Sequence, residues 1–401
     1  MSIIQRPMAA ADDGSSIHPR RYNHSMSLPE LAAPTLIQDQ SSLQELIAKL
    51  GAGKLLAVDT ESNSLHAYQE RVCLIQFSTR EEDFLVDPLA IDDLSPLAPI
   101  FADPKIEKIY HAAEYDVMTL KRDFSFEQRN LFDTYIAVRT LGWDHSGLAD
   151  ILETVFDVKL KKRYQRANWG KRPLPKEMLD YARFDTHYLI PLRQRLVQSL
   201  KAQGKLAEAS EAFHLQTLVP PHENGFDPLG FWGVGDTRKL NGRQAAILRE
   251  LYLFREEEAQ RQDVPPFKVF GNQSLLALAE AAPEDAKEFE QVKGMSGRRL
   301  SRYGGSILQA IRRGEHADEP GRPHYERPPD DVLERYETLR TWRKLTARDR
   351  HIDSDIVLPR DTLWDIARAN PSDAGSLKEV MQPLEWRFET YGETILQLLT
   401  G

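Results

Sequence analysis

The sequence predicts two structural regimes: a mixed sheet flanked by helices in its first half, and an all-helical second half built from two copies of one unit. Three observations carry this. Four apolar runs of strand length come early, at 55–59, 72–78, 83–87 and 106–110. From about residue 113 the apolar spacing becomes that of helices. From Leu251 onward, twelve residues recur identically 88 positions later. Strands first and helices after, with an antiparallel start, define an α/β domain whose sheet is covered by helices.

Composition sets the outer bounds. A chain of 401 residues has room for two or three domains at about 100–200 residues each. Hydrophobic content of 41% and charged content of 28% fit a globular protein in water. No apolar run approaches the roughly 18–20 residues of a spanning helix, and the first residues lack a signal-peptide layout. The single cysteine, Cys73, excludes an intrachain disulfide and a cysteine-rich zinc site. Set in Val72-Cys73-Leu74-Ile75, it reads as a core thiol. The expected location is cytoplasmic, with no membrane partner. A net charge of −9 argues against nucleic acid as a ligand, but binding answers to local patches, and these are uneven here.

The elements follow in order. Residues 1–32 mix Gly, Ser, Asp, Arg and Pro without periodicity, as expected of a disordered or loosely attached tail. Ser41-Ser42 is placed to cap a helix from Leu43 to Leu50, with Leu43, Ile47 and Leu50 on one stripe. Leu55-Leu56-Ala57-Val58 reads as a strand buried on both faces. The runs 72–78 and 83–87, split by Thr79-Arg80-Glu81-Glu82, read as an antiparallel hairpin. A helix near 93–101 leads to a strand from Ile106 to Tyr110. Helices are expected near 113–122, 132–141, 147–155 and 175–202, the last kinked or broken at Pro191. This first domain spans 33–202. Residues 203–237 read as a linker, since Pro220-Pro221 and Gly225 interrupt regular structure.

The recurrence at 88 positions includes Leu251 with Leu339, Arg255 with Arg343, Tyr303 with Tyr391, and Ile307 with Ile395. A period this long marks a duplicated small domain, at 238–317 and again at 327–401, rather than a solenoid unit. Gly294-Met295 in the first copy is replaced by Gln382-Pro383 in the second, so the second must turn differently there. The second copy is therefore expected to be mainly structural.

Several acids stand where acids are costly. Asp59 and Glu61 follow the first buried strand two positions apart and point the same way if the strand continues. Two like charges this close repel, and a divalent cation would relieve them; a polar strand end is the plainer alternative. Asp116 follows the strand 106–110 in the first turn of a helix, where it could equally complement the helix dipole. Asp185 fills the missing position of an apolar stripe made by Met178, Ala182, Leu189, Leu192 and Leu196. An inward carboxylate is costly unless it is hydrogen-bonded, bound to a metal, or, as the plainer alternative, paired with an Arg or Lys. Tyr181 lies one helical turn before it. Asp133 reads as a helix N-cap.

Between these lies a basic segment, Lys159 to Arg172, with seven positive residues, no negative ones and two aromatics. Its Lys161, Lys162, Arg163, Tyr164, Arg166, Trp169 and Arg172 are candidates for gripping phosphates and stacking on bases, against the alternative of a solvated face. Arg298, Arg299 and Arg302 form a second basic patch in the first helical copy.

Val58-Asp59-Thr60-Glu61, then Asp116, then Tyr181-x-x-x-Asp185 together resemble the tyrosine-containing branch of the DEDD superfamily of 3′→5′ exonucleases. Asn168-Trp169 and Arg172-Pro173-Leu174 resemble the bacterial ribonuclease D family, and the duplicated unit resembles two HRDC domains. The resemblance covers about 35–401. It implies a ribonuclease H-like fold for the first domain. It also implies two divalent ions, Mg²⁺ or Mn²⁺, held by Asp59, Glu61, Asp116 and Asp185, with Tyr181 orienting the attacking water. Hard cations prefer oxygen ligands, which this set supplies. A sister branch uses histidine, but Tyr181 holds the matching position here, which leaves His111 a supporting role. The implied reaction is release of 5′-mononucleotides from RNA 3′ ends, with tRNA precursors as substrates and a monomer as the working form. A proofreading-type DNA exonuclease and a non-catalytic RNA-binding protein are the alternatives.

Overall fold

The computed structural model describes residues 32–160, 163–221, 225–295, 297–323 and 326–400. The expected tail, apart from its last residue, lies outside the described residues, as do Lys161 and Lys162. Six strands form one mixed sheet: β1 (Thr35–Ile37), β2 (Leu55–Ser62), β3 (Val72–Ser78), β4 (Asp83–Val86), β5 (Glu107–Tyr110) and β6 (Leu131–Asp133), in the spatial order β1-β4-β3-β2-β5-β6. β3 is antiparallel to both β2 and β4, as the hairpin reading requires, while β2–β5, β5–β6 and β1–β4 are parallel. Every residue of β3 is buried, because helices cover both faces. Sequence reasoning missed β1 and β6, each only three residues long.

The helices of this domain are α1 (Gln40–Ala52), α2 (Ala98–Ala102), α3 (Glu114–Phe124), α4 (Thr134–Leu141), α5 (Leu148–Phe156), α6 (Lys176–Ala182), α7 (Phe184–His187) and α8 (Leu189–Ala202). α1 starts earlier than expected. Its N-cap is Asp39, whose carboxylate accepts from the Ser42 amide at 2.9 Å, so the two serines lie inside the helix. Asp133 caps α4 as expected, accepting from Tyr135 and Ile136. The single helix expected over 175–202 is three pieces, divided at Arg183 and Tyr188 rather than at Pro191. Pro191 sits in the first turn of α8, where a missing N–H costs no helical bond.

The expected linker is the largest correction. Over Leu206–Thr217 it folds as helix α9. Ala209, Ala212 and Phe213 of α9 join the core of the sheet domain, and Leu215 packs on the core of the last module. Thus α9 belongs to the first domain and forms its contact with the far end of the chain.

The two helical copies correspond element for element at the offset of 88. The first has α10 (Gly242–Gln262), α11 (Pro266–Val269), α12 (Asn272–Ala281), α13 (Ala286–Gln291) and α14 (Gly297–His316); the second has α15 (Asp330–Arg350), α16 (Ser354–Val357), α17 (Arg360–Ala369), α18 (Ala374–Val380) and α19 (Glu385–Thr400). Each copy has its own core. The matched Arg255 and Arg343 each donate across their module to a carbonyl, of Phe270 and Leu358. The turns differ as expected: Gly294 has φ +87°, whereas the Gln382–Pro383 peptide is cis.

Both modules touch the sheet domain. Tyr68, in the loop after β2, donates to Glu256 at 2.5 Å, and its amide donates to Asp263. The second module grips α9 with two arginines: Arg350 pairs with Glu208 and Arg387 with Glu211. Arg139 of α4 adds contacts to Asp353 and Asp355.

Candidate active site

Three elements bring the predicted acids together. β2 carries Asp59 and Glu61 beyond its buried stretch Leu56–Val58. α3 brings Asp116 in its first turn, and the intervening Thr60 donates its hydroxyl to Asp116 at 2.6 Å. α7 brings Asp185, and the apolar stripe around that residue is buried as expected at Met178, Ala182, Leu189, Leu192 and Leu196. α7 is held to the sheet by a buried polar set. Thr186 bonds Ser78 at 2.7 Å, and His187 Nδ1 lies 2.8 Å from Asp83.

The acids act on one another. Burial, then the charges of Asp116, Asp185 and Glu61, raise the Asp59 carboxyl well above its ordinary range. Burial and the charges of Asp185 and Asp116 do the same to Glu61. Asp185 is pushed up to about 7 by burial and by Asp116. Asp116 is raised chiefly by burial, against the opposing bond from Thr60. Among the described residues no Arg or Lys forms an ion pair with these four carboxylates, and the nearby Arg183 and Arg193 pair instead with Asp180 and Glu107. Tyr181 is raised well above its normal value by burial and by Asp185, Glu61 and Asp59, so its hydroxyl keeps its proton. Burial pushes His111 down to about 4, and its Nδ1 is engaged with Thr134 at 2.9 Å. His111 is neutral and held, in keeping with a supporting role.

A cleft of about 760 Å³ opens onto this centre, with Asp59, His111, Tyr181 and Asp185 in its walls. Arg163 and Tyr164 line it too, which joins part of the basic segment to the acids. Tyr164 meets the Tyr181 ring edge-on at 5.7 Å, and the Arg163 guanidinium lies over Tyr164. Two other members of the segment are corrections. Trp169 is only 1% exposed and packs beneath Tyr181, so its ring cannot receive a base. The Arg172 guanidinium is consumed by Asp87 and by the carbonyls of Trp169 and Cys73. Arg166 is exposed, with its carbonyl taken by His66. Arg298 and Arg302 are exposed and Arg299 half-buried on α14, outside the walls of this cleft. Sequence reasoning missed Thr60, Phe184 and Tyr188. The last two are cleft-wall aromatics flanking Asp185, at positions that read as ordinary helix apolars.

The residues fit a divalent cation. Four carboxylates from three elements, all hard oxygen donors with raised pKa values, form a centre that a dication neutralises. Among the described residues no three acidic, histidine or cysteine side chains stand at metal-ligand spacing.

A family model for a 3′-5′ exonuclease matches residues 34–201, and one for the HRDC domain matches 244–311 and 332–399. The crystallised catalytic core of RRP6 from Trypanosoma brucei is 32% identical, covering 74% of this chain and 84% of that one with a TM-score of 0.63. Ribonuclease D of Nitrobacter hamburgensis is 28% identical over 91% of this chain and 95% of its own length. The exosome complex exonuclease RRP6 of Saccharomyces cerevisiae is 35% identical over 63% of this chain. The chain spans only 37% of that protein, and 29% of an exosome component 10 homolog of Caenorhabditis elegans. The chain belongs to the 3′-5′ exonuclease family. Within it, the chain is a ribonuclease D homologue carrying two HRDC domains. This family is typically metal-dependent. No described helix is long and apolar enough to cross a membrane.

Proposed function

We propose that this chain is a divalent-metal-dependent 3′→5′ exoribonuclease that hydrolyses the terminal phosphodiester and releases 5′-mononucleotides. Its substrates in this reading are the 3′ ends of tRNA precursors and other small structured RNAs. The supporting observation is that Asp59 and Asp185 line one cleft with a protonated Tyr181, while Glu61 and Asp116 lie close enough to act on their charges. The four carboxylates would hold two Mg²⁺ or Mn²⁺ ions. Such ions, when bound, supply an activated water and a Lewis acid for the leaving oxygen.

The other parts fall to the protein's own groups. The Tyr181 hydroxyl keeps its proton, so it orients the nucleophilic water as a hydrogen-bond partner and does not act as its base. His111, pushed down to about 4, holds no charge at neutral pH. Arg163, at the cleft wall, would meet the phosphate backbone. The catalytic domain in this reading is 33–202, with α9 as its added edge.

The test is digestion of 3′-labelled RNA and DNA ladders with Mg²⁺, with Mn²⁺ and with EDTA. RNA should shorten from the 3′ end in either metal and remain intact in EDTA. Asp59→Ala and Asp185→Ala should each abolish hydrolysis while the fold survives. Full activity in either variant overturns the assignment, and a preference for DNA overturns the substrate.

A further inference from the structure

β3 is buried along its whole length, yet an amide sits in its middle. Gln76 is 0% exposed, and among the described residues neither its Nε2 nor its Oε1 has a hydrogen-bond partner. An aliphatic side chain would fill the same volume without stranding two polar atoms, and buried polar groups are otherwise almost always paired.

Strand register shows what lies beside it. Gln76 stands directly opposite Asp59 in the β2–β3 ladder and opposite Leu85 in the β3–β4 ladder. Opposed residues send their side chains to the same face, so Gln76 shares the face from which Asp59 projects. Its same-face neighbours along β3 are Leu74 and Ser78. Leu74 packs beneath α6 with Met178 and Ala182, and Ser78 is bonded to Thr186 of α7. Gln76 therefore lies under the α6–α7 junction, between Asp59 on the sheet and the short helix that carries Asp185.

We propose that Gln76 is a positioning residue of the acidic centre: its amide N–H, unbonded in this structure, is the donor the Asp59 carboxylate takes up when it turns to ligate a divalent cation, and it holds the carboxylate in that orientation. The inference rests on the proposed function above. A neutral donor suits this place. Lys or Arg would cancel the negative charge that attracts the cation, whereas an amide fixes the carboxylate oxygens and leaves their charge intact. Partners of this kind, one bond behind a ligand, set its orientation and strengthen metal binding. The competing use of the amide is a bond to His187 Nε2, which is also buried without a partner.

The test is calorimetric titration of the full chain with Mn²⁺ in the absence of RNA. It compares wild type, Gln76→Met, Gln76→Leu, Asp59→Asn and the Gln76→Met/Asp59→Asn double variant. Gln76→Met keeps length and volume, so its unfolding midpoint should match or exceed that of wild type. Its Mn²⁺ affinity should fall by about 10-fold or more. The turnover of 3′-labelled RNA should fall at limiting Mn²⁺ with KM for RNA unchanged, and the double variant should bind no more weakly than Asp59→Asn alone. Wild-type Mn²⁺ affinity in folded Gln76→Met or Gln76→Leu overturns the proposal. So does a loss that adds fully to that of Asp59→Asn, since the amide then serves another group. Failure of both Gln76 variants to fold assigns Gln76 to the core and also overturns it. Wild type that neither binds Mn²⁺ nor hydrolyses RNA defeats the function of the centre itself, a result distinct from all of these.

Discussion

The Thr60 hydroxyl donates to the Asp116 carboxylate across 2.6 Å and so fastens the middle of the Asp-Thr-Glu stretch to the first turn of α3. Burial raises Asp116, and this bond opposes the rise. Thr60→Val should therefore move Asp116 further up. The acid limb of the pH profile of kcat/KM, measured at limiting Mg²⁺, should shift to higher pH. Thr60→Ser, which keeps the donor, should leave the limb in place.

The acids also make the metal-free protein pH-sensitive. Asp185 is pushed up to about 7 by burial and by Asp116. A carboxyl whose pKa is raised on folding binds its proton more tightly in the folded state. Its contribution to stability is complete below the unfolded value of roughly 4 and is lost as pH rises through about 7. In EDTA the unfolding midpoint should fall across that window. Asp185→Asn should flatten the fall, and Mn²⁺ added at pH 7 should restore the midpoint of wild type but not of the variant.

Trp169 and Arg163 lie six positions apart and should fail differently. Trp169→Ala removes a buried ring and should cost about 3–5 kcal/mol of stability. Arg163→Ala alters an exposed side chain and should change stability by no more than about 0.5 kcal/mol. It should instead weaken RNA binding and reduce the slope of affinity against salt by about one. Denaturant unfolding and a salt series of RNA binding separate the two.

The clasp between α9 and the second module is a buried ion pair, Arg387 with Glu211 at 2.5 Å, both nearly inaccessible. The Glu211 carboxylate also accepts from the Trp386 amide at the start of α19. Truncating one partner leaves the other charge buried, at a cost of about 3–5 kcal/mol. Arg387→Ala should therefore separate the unfolding of the last module from that of the sheet domain. Limited proteolysis should then cut between them.

What was legible followed from anomalies. A carboxylate interrupting an apolar helical stripe is costly wherever the helix packs, so Asp185 stood out from periodicity alone. A strand buried on both faces that ends in two acids marked Asp59 and Glu61. The duplication was visible because identity at a fixed offset requires no geometry. Trp169 misled because its basic neighbours describe the surface, while a tertiary contact with Tyr181 decides where the ring goes. The breaks at Arg183 and Tyr188 carry no breaker residue, whereas Pro191 does and sits harmlessly in a first turn. The inward residues of α9 include two alanines, Ala209 and Ala212, whose apolar signal is weak beside the Pro-Pro and Gly that follow. Gln76 lay inside a run that reads as core, and only the register with Asp59 gives it significance.

The position of α9 bears on how the chain is made. Glu211 meets Arg387 across 176 residues of sequence, and Tyr68 meets Asp263 across 195. Domains fold in the order they leave the ribosome. The sheet domain and α9 are thus complete while the arginines of the last module are still untranslated. For that interval the acidic side of α9 and the apolar Leu215 face solvent, so the newborn enzyme is most open to protease and to wrong partners just before its last helices emerge.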